Sequence, residues 1–149
     1  MIRIQSAAKD DLDHWAAIRI KLWPGHDAAG HQKEICQDFS HPERECFLAM
    51  DGDRVIGFAE LSLRSVVDGC TGSPVAYLEG LYVEPEYQEQ GVGRLLVESG
   101  EDWGMKNGCT EMGSDAEIGN RISILVHQKL GFEEVDRVVQ FRKALSKTE

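Results

Sequence analysis

The chain has 149 residues, of which 42% are hydrophobic, and its 16 basic and 26 acidic side chains give a formal net charge of −10. This length favours one domain over residues 1–149, and no stretch approaches the roughly 18 consecutive apolar residues of a membrane-spanning helix. The negative charge argues against a nucleic-acid partner, which needs clustered Lys and Arg, and is typical of a protein kept soluble by its charge or one that attracts cationic substrates.

The N-terminus and the cysteines favour a cytoplasmic location. The opening MIRIQSAAKDDLDHW has neither the long apolar middle nor the cleavage site of a signal peptide. The four cysteines form no C-x-x-C pair, so we expect reduced thiols and neither a disulfide framework nor a zinc ribbon. Cys36, His41 and Cys46 are evenly spaced across a predicted loop, which matches no usual ligand pattern, and we expect no metal.

The first half of the chain predicts a strand, two helices and a hairpin. The alternating start IRI predicts a short strand, and the apolar spacing of LDHWAAIRIKLW predicts a helix that ends at Pro24. A weaker helix is expected between Asp27 and Phe39. The segments CFLAM and RVIGFAELSLR, joined by Asp51-Gly52, predict a β-hairpin because Asp-Gly readily adopts the left-handed turn conformation.

The second half predicts strands that alternate with helices. AYLEGLYVEP and TEMGS are predicted strands on either side of a helix from about Gly91 to Lys106, and NRISILVHQKL is a predicted helix that Gly131 closes. The segment over 133–142 is predicted as a last strand. A strand, helix and strand in succession require a parallel pair, whereas the hairpin is antiparallel. We therefore expect an α/β (α+β) fold with a mixed, mostly antiparallel central sheet flanked by helices.

A turn with two glycines joins the central strand to its helix. In YQEQGVGRLL, Gly91 and Gly93 lie at a helix start, where backbone amides can approach an anion closely and the helix dipole adds positive potential. The pattern is neither a dinucleotide fingerprint, because Leu96 replaces its third glycine, nor a Walker loop. Taken alone, it also fits a tight turn or close helix packing.

This turn and a later segment resemble two signatures of the GCN5-related N-acetyltransferase (GNAT) family. Gln88–Gly93 is similar to the motif Q/R-x-x-G-x-G/A, and Asn120–Phe132 to N-x-x-A-x-x-L-Y-x-K-x-G-F, with Ser123 and His127 in place of Ala and Tyr. The resemblance implies acetyl-coenzyme A as cosubstrate and a splay between two central parallel strands. It implies that backbone amides hold the pyrophosphate and polarise the thioester carbonyl. The implied donor-binding residues are Leu81, Tyr82, Val83, Gln88, Glu89, Gln90, Gly91, Val92, Gly93, Arg94 and Asn120.

Two further segments resemble the aminoglycoside 6'-N-acetyltransferases within that family. His14–Pro24 is similar to the opening W-x-x-L-R-x-x-L-W-P, with Ile18 in place of Leu, and the chain carries the series S-D-A-E at 114–117 and H-x-x-L-G-F-E-E at 127–134. The resemblance implies direct acetyl transfer in a ternary complex to the 6'-amino group of aminoglycoside antibiotics, which gives resistance. It also implies a homodimer.

Several residues are candidates for catalysis, and each has a structural alternative. A protonated amine must lose a proton before it attacks a thioester, and Asp115 is our first candidate for the base, Glu79 the second and Glu117 the third. Asp115 and Glu117 could instead stabilise the following helix through its dipole, worth ~0.3 to 1 kcal/mol each, and Glu79 could be an ordinary strand residue. His127 is either a proton donor to the departing thiolate or a helix histidine that packs its ring.

The acceptor amine has its own set of candidates. Trp23 is either a core residue at a helix end or an aromatic wall that stacks on a sugar ring. The expected substrate-binding residues are Trp23, His26, Tyr77, Glu79, Asp115 and Glu117. Two other functions remain open, namely acetylation of another small amine or protein amine, and a non-catalytic acetyl-coenzyme A sensor.

Overall fold

In a computed structural model, which describes residues 1–146, the strands form one five-stranded sheet in the order β1-β2-β3-β4-β5. All neighbours are antiparallel except β4 and β5, which are parallel, so the prediction of a mixed, mostly antiparallel sheet is confirmed. The elements in chain order are β1 (Ile2–Ser6), α1 (Leu12–Leu22), α2 (Ala28–Asp38), β2 (Arg44–Asp51), β3 (Arg54–Arg64), β4 (Val75–Val83), α3 (Val92–Lys106), β5 (Met112–Ser114) and α4 (Arg121–Lys129).

Local sequence signals fix the first elements as expected. Gly52, at φ 60°, supplies the left-handed turn between β2 and β3. The carboxylate of Asp27 accepts a hydrogen bond of 2.8 Å from the Gly30 amide, which caps the start of α2. Trp15 and Ile18 of α1 pack with Ile35 of α2 in the main core, against apolar residues of β2 and β3.

Helix α3 lies close to the sheet because glycines occupy its inner face. A Cβ atom added to Gly100 would lie 2.6 Å from Leu61 Cδ2, and one added to Gly104 would lie 2.8 Å from Ala76 Cβ. Leu95 of the same helix is apolar but 42% exposed. The face of α3 that packs against the sheet is therefore the one that carries Gly100 and Gly104.

Strands β4 and β5 part after a short pairing. Only three residue pairs join them, the last being Leu78 with Ser114, while β4 continues to Val83. On its other side, β4 pairs with β3, and the register skips Glu79 between the pairs Glu60–Gly80 and Leu61–Leu78. A bulge of this kind locally removes a residue from the ladder. The edge of β4 from Glu79 onward thus has no partner strand on the β5 side among residues 1–146.

The residues from Ala116 onward form a second compact unit, separate from residues 1–115. In it, Asn120 accepts a hydrogen bond of 3.1 Å from the Ser123 amide and caps α4, and Gly131, at φ 95°, ends the helix with a bond from the Phe132 amide to the His127 carbonyl. The prediction of one domain over residues 1–149 stays a prediction.

The predicted strand over 133–142 is wrong for this chain. Residues 132–146 form neither strand nor helix, and Val135, Val139 and Phe141 are exposed. The alternating sequence suits a strand, but a strand also requires hydrogen-bonding partners along its edge, and this segment has no ladder partner in the described chain. As a result, β5 is the outermost strand of the sheet and not a central one.

Two classes of feature are absent from the described part of the chain. Among residues 1–146, no helix combines the length and apolar character required to cross a bilayer. Within the same residues, no group of three or more His, Cys, Asp or Glu side chains is arranged to hold a metal ion.

Candidate active site

Asp115 follows β5 directly, at the point where β4 and β5 part. The Tyr77 hydroxyl, on β4, donates a short hydrogen bond to Asp115 Oδ2. Tyr77 is buried, and burial together with this bond raises the pKa of its hydroxyl well above the ordinary value. The Arg64 guanidinium stacks 3.6 Å from the centroid of the Tyr77 ring. Tyr77 therefore stays protonated and orients a carboxylate that is itself exposed to solvent.

Glu79 lies two residues after Tyr77 on β4, and its carboxylate is paired with the Arg64 guanidinium. Its carboxylate accepts hydrogen bonds from Arg64 at 2.9 and 3.0 Å and from the Ser62 hydroxyl at 2.5 Å. Arg44 lies 4.0 Å away. Both carboxylate oxygens of Glu79 thus accept hydrogen bonds from its neighbours.

A cavity of about 580 Å³ opens on this side of the sheet. Four carboxylates and two guanidinium groups line it, so its wall carries an excess of negative charge. Such a wall favours a cationic ligand. The lining residues are Arg19, Leu22, Trp23, Pro24, Gly25, His26, His31, Glu34, Gln37, Asp38, Arg44, Glu60 and Glu79.

A buried ion pair forms the floor of this cavity. Arg19 Nε donates to Glu60 Oε2 at 2.7 Å, and the Trp15 indole donates to the same oxygen at 2.8 Å. Burial raises the pKa of Glu60, which the bonds from Arg19 and Trp15 oppose. Arg19 also donates to Glu34 at 2.8 Å, and the resulting hydrogen bond lowers the pKa of Glu34. The floor is therefore polar but internally satisfied.

Trp23 and His26 both line the cavity, as the sequence predicts for acceptor-binding residues. Trp23 is partly buried and packs edge-on against Phe58, with ring centroids 6.1 Å apart. His26 is exposed, and its Nε2 lies 3.6 Å from Glu34 Oε1. Trp23 thus combines the two alternatives that the sequence leaves open, since one edge packs in the core and the residue also borders the cavity.

The turn over 88–91 carries unusual backbone for its residue types. Gly91 caps α3 at φ 83°, and Glu89, two residues before it, lies at φ 61°. Gly91 has no side chain with which to cap the helix, so the first amides of α3 receive no side-chain cap. The turn is braced by side chains, because the Gln88 amide group donates to the Val83 carbonyl and that of Gln90 to the Glu86 carbonyl, both at 3.0 Å.

The predicted donor-binding residues within 1–115 also include Leu81 and Tyr82 on β4 and Arg94 on α3. The Tyr82 ring lies 6.4 Å from that of Phe58, and burial followed by a hydrogen bond to Glu84 raises the pKa of its hydroxyl. Leu81 borders Gly93, since a Cβ added to that glycine would meet Leu81 Cδ2 at 3.9 Å. The strand β4 and the start of α3 are thus adjacent along the predicted donor site.

Glu117, Asn120 and His127 belong to the second unit. The side chain that caps α4 is Asn120, so the cap does not come from either preceding acid. His127 Nδ1 lies 2.7 Å from the Ser123 carbonyl oxygen one turn earlier, and its ring packs against Phe132 at 5.2 Å. The carbonyl can only accept, so Nδ1 carries the proton of that bond.

Sequence reasoning missed the residues that support the site. Arg19 and Glu60 lie within apolar segments of α1 and β3, and an isolated charge in such a segment is the signal that could have found them. Arg64 and Ser62 carry no comparable signal, because each is an ordinary residue of a strand end. Their contact with Glu79 exists only through the pairing of β3 with β4.

Comparison with known proteins agrees with this geometry. The profile of the Acetyltransferase (GNAT) family matches residues 12–132. Aminoglycoside N(6')-acetyltransferase type 1 of Salmonella typhimurium is 41% identical over 141 residues, which cover 94% of this chain and 97% of that protein. The protein of the same name from Serratia marcescens is 40% identical and covers 91% of this chain, with 94% of its own length matched.

Solved structures are similar over nearly the whole chain. Aminoglycoside N-acetyltransferase AAC(6')-Iy, solved in complex with CoA, superposes with a TM-score of 0.93 at 40% identity and covers 96% of this chain and 95% of that one. The AAC(6')-Ih enzyme from Acinetobacter baumannii also gives a TM-score of 0.93, at 39% identity, and covers 98% and 100% of the two chains. The chain therefore belongs to the GNAT family of acetyltransferases, within the group of aminoglycoside N(6')-acetyltransferases.

Proposed function

We propose that the protein transfers the acetyl group of acetyl-coenzyme A to the 6'-amino group of aminoglycosides by direct transfer in a ternary complex. The observation that carries this proposal is the acid-rich cavity lined by Glu79 of β4, the residue that directly follows the last residue of that strand paired with β5. A related structure, of AAC(6')-Iy, was solved with the bisubstrate analog CoA-S-monomethyl-acetylneamine, which joins a donor to an aminoglycoside ring system. Acetylation removes a positive charge from the antibiotic and would confer resistance.

We propose that the donor binds along β4 and the turn before α3. The bound donor supplies the activated acetyl group. The unpaired edge of β4 from Glu79 onward leaves backbone groups of Leu81 to Val83 available to its carbonyl, and the left-handed residues Glu89 and Gly91 turn amides outward toward its pyrophosphate. Asn120, in the second unit, stays a prediction for this role.

Asp115 is the proposed proton acceptor for the substrate amine. The amine nitrogen forms the new bond to the acetyl carbon while the carbon–sulfur bond breaks and coenzyme A leaves as the thiolate, and the amine proton passes to Asp115 directly or through water. Tyr77 holds the carboxylate in place through its hydroxyl. Glu79, paired with Arg64, positions the amine-bearing ring without taking its proton. His127 and Glu117 stay predictions.

The acceptor is proposed to lie in the cavity against Trp23 and His26. An indole face stacks well on a sugar ring, and the carboxylates of Glu34 and Asp38 border the same space. A cytoplasmic location suits this activity, because acetyl-coenzyme A is a cytoplasmic metabolite. The carboxylates among these residues support a polycationic acceptor.

A homodimer is part of the proposal. Helix α4 buries no residue, and exposed apolar side chains recur along α4 and the following segment: Ile118, Ile122, Leu125, Val126, Val135, Val138, Val139, Phe141 and Leu145. A segment with the alternation of a strand but no partner in its own chain can form a ladder with a second copy. We propose that a second copy of the chain pairs with this segment and also buries these apolar side chains.

The test is thiol release from acetyl-coenzyme A with kanamycin, tobramycin, spermidine and a lysine peptide in parallel. We expect turnover with the aminoglycosides at micromolar KM and little turnover with the other amines. Turnover with spermidine or the peptide alone would overturn the choice of substrate. Donor binding with no turnover of any amine would instead support a sensor.

A further inference from the structure

The Trp23 ring is seated against the backbone of β4 in a space that only glycine allows. A Cβ atom added to Gly80 would lie 2.5 Å from Trp23 Cη2 and 2.6 Å from Cζ2. Such distances are far inside van der Waals contact, and both of these atoms belong to a rigid ring. A third atom, Leu22 Cδ2 at 2.9 Å, is the far end of a flexible side chain and can shift more easily. The absence of a side chain at Gly80 therefore allows the Trp23 ring to approach the backbone of β4 closely. The neighbours of Gly80 on the strand are Glu79 and Leu81, which belong to the acceptor and donor sites proposed above.

A second contact holds the same ring from α1. The Arg19 guanidinium lies 4.8 Å from the centroid of the Trp23 ring, within the range of a cation–π interaction. Arg19 cannot move away, because Glu60 and Glu34 accept from it at 2.7 and 2.8 Å and its side chain is 8% exposed. The ring is thus confined by the strand on one side and by a fixed guanidinium on another.

A third contact fixes the backbone of Trp23 from α2. His31 is fully buried, with Nδ1 at 3.1 Å from Arg19 Nη1 and Nε2 at 2.8 Å from the Trp23 carbonyl. Because a guanidinium can only donate, Nδ1 must accept and Nε2 must carry the proton that reaches the carbonyl. Arg19 therefore selects the tautomer of His31 that holds Trp23.

We infer that Gly80 and Arg19 are positioning residues that fix Trp23 as the wall of the acceptor cavity and so determine which amine-bearing rings fit beside β4. This inference rests on the proposed function. Neither residue has to touch the substrate, since each acts through Trp23. The contacts of both residues with the ring predict that disturbing either one changes acceptor binding more than donor binding.

The first experiment is a double-mutant cycle of Gly80→Ala and Trp23→Leu with steady-state kinetics. We expect Gly80→Ala to raise the acceptor KM by about tenfold or more with an unchanged acetyl-coenzyme A KM, because a displaced wall misplaces the amine. In the Trp23→Leu background the same change should have a much smaller effect, since the rigid ring is gone and the remaining close atom, Leu22 Cδ2, ends a flexible side chain. Gly119→Ala, where an added Cβ meets nothing within 4 Å, is the matched control.

The second experiment replaces Arg19 by Lys, which keeps the charge but cannot reach Glu60, Glu34 and His31 together. We expect a rise in acceptor KM similar to that of Gly80→Ala. Arg3→Lys, at an exposed arginine whose hydrogen bond is to the Gly52 carbonyl, is the control and should behave as the wild type.

A spectrum of the indole N–H groups gives a readout that does not depend on turnover. Trp23→Leu assigns the Trp23 resonance in ¹⁵N-labelled protein, and this resonance should shift in both Gly80→Ala and Arg19→Lys. An unmoved resonance, or a rise in acceptor KM from Gly80→Ala that is equal in both backgrounds, would overturn the inference. If the wild type acetylates only an amine that is not an aminoglycoside, the proposed function is wrong. The shift of the Trp23 resonance still tests whether Gly80 and Arg19 position that ring.

Discussion

At the scale of single residues, the acids near β4 differ in their partners and therefore in their chemistry. Asp115 accepts one hydrogen bond from Tyr77 and is exposed, whereas Glu79 is held by Arg64 and Ser62. We expect Asp115→Asn to lower kcat by about 10²- to 10⁴-fold, because the acceptor of the amine proton is lost. Acetyl-coenzyme A affinity, measured by calorimetry, should be unchanged.

Two further variants make this test specific to Asp115. Glu79→Gln should affect the acceptor KM more than kcat, because we propose that Glu79 positions the acceptor and that Asp115 takes the proton. Glu117→Gln tests the third acid in the same assay. Full rate in Asp115→Asn would remove this residue from the role of base, whatever the other two variants do.

Glu84 carries a residue-scale prediction about stability. Hydrogen bonds from Lys21 at 2.8 and 2.9 Å lower the pKa of this carboxyl despite its burial, and Arg54 adds to the effect. A lowered folded pKa means stability that is present above the ordinary value of 4.5 and lost as pH falls through the folded value. Glu84→Gln should therefore cost about 1–2 kcal/mol of unfolding free energy at pH 7.

Urea unfolding at several pH values checks this difference. The gap between wild type and Glu84→Gln should close as the pH falls below 4.5. Glu86→Gln, at an exposed neighbour that lies 3.6 Å from Arg54, is the matched control and should change stability little. A gap that stays constant down to acid pH would contradict the argument.

At the scale of elements, α4 shows how a motif residue can have two roles. Asn120 belongs to the family signature, but in this structure its side chain caps the helix by accepting from the Ser123 amide. We expect Asn120→Ala to lower the unfolding free energy by about 1 kcal/mol and Asn120→Ser to restore it, because serine also caps. Thermal melting measures both.

Donor kinetics then separate the two roles of Asn120. If the residue only caps, Asn120→Ser keeps the acetyl-coenzyme A KM of the wild type. A raised KM in a variant of normal stability would show instead that Asn120 contacts the donor.

Most elements were predictable because their signals are local. The Asp27 cap, the left-handed Gly52 and the helix end at Gly131 each lie where the sequence indicates. The predicted last strand failed because pairing is not local, and nothing in the alternation of residues 133–142 specifies a partner. The site acids were predictable as candidates, but their ranking depends on Arg64 and Tyr77, which reach them across neighbouring strands.

At the scale of the whole molecule, charge governs the approach of substrate. A net charge of −10 and an acid-lined cavity attract a polycation. Added salt screens these charges and shortens the range over which the attraction acts. We expect kcat/KM for kanamycin to fall as ionic strength rises from 0.02 to 0.5 M, by about tenfold. The KM for acetyl-coenzyme A, an anion, should not rise in parallel, and a parallel rise would indicate a general effect of salt.

Assembly is the second property of the whole molecule. We expect sedimentation equilibrium to give about twice the chain mass of 16.6 kDa. Val139→Asp places a charge on an exposed apolar position that the second copy is proposed to bury, and it should shift the mass toward that of one chain. Gln140→Asp adds the same charge on the other side of the segment and should shift it less, whereas a monomeric wild type would contradict the dimer.

The sequence by itself determined the order and type of nearly all elements, the family and the identity of the acids, because caps, turns, periodicity and motifs act over a few residues. Only the tertiary structure decided the partners of these acids, since Tyr77 donates to Asp115 and Arg64 pairs with Glu79 through contacts between strands. It also decided where Trp23 lies, because the ring packs against Gly80, a residue more than fifty positions further along the chain.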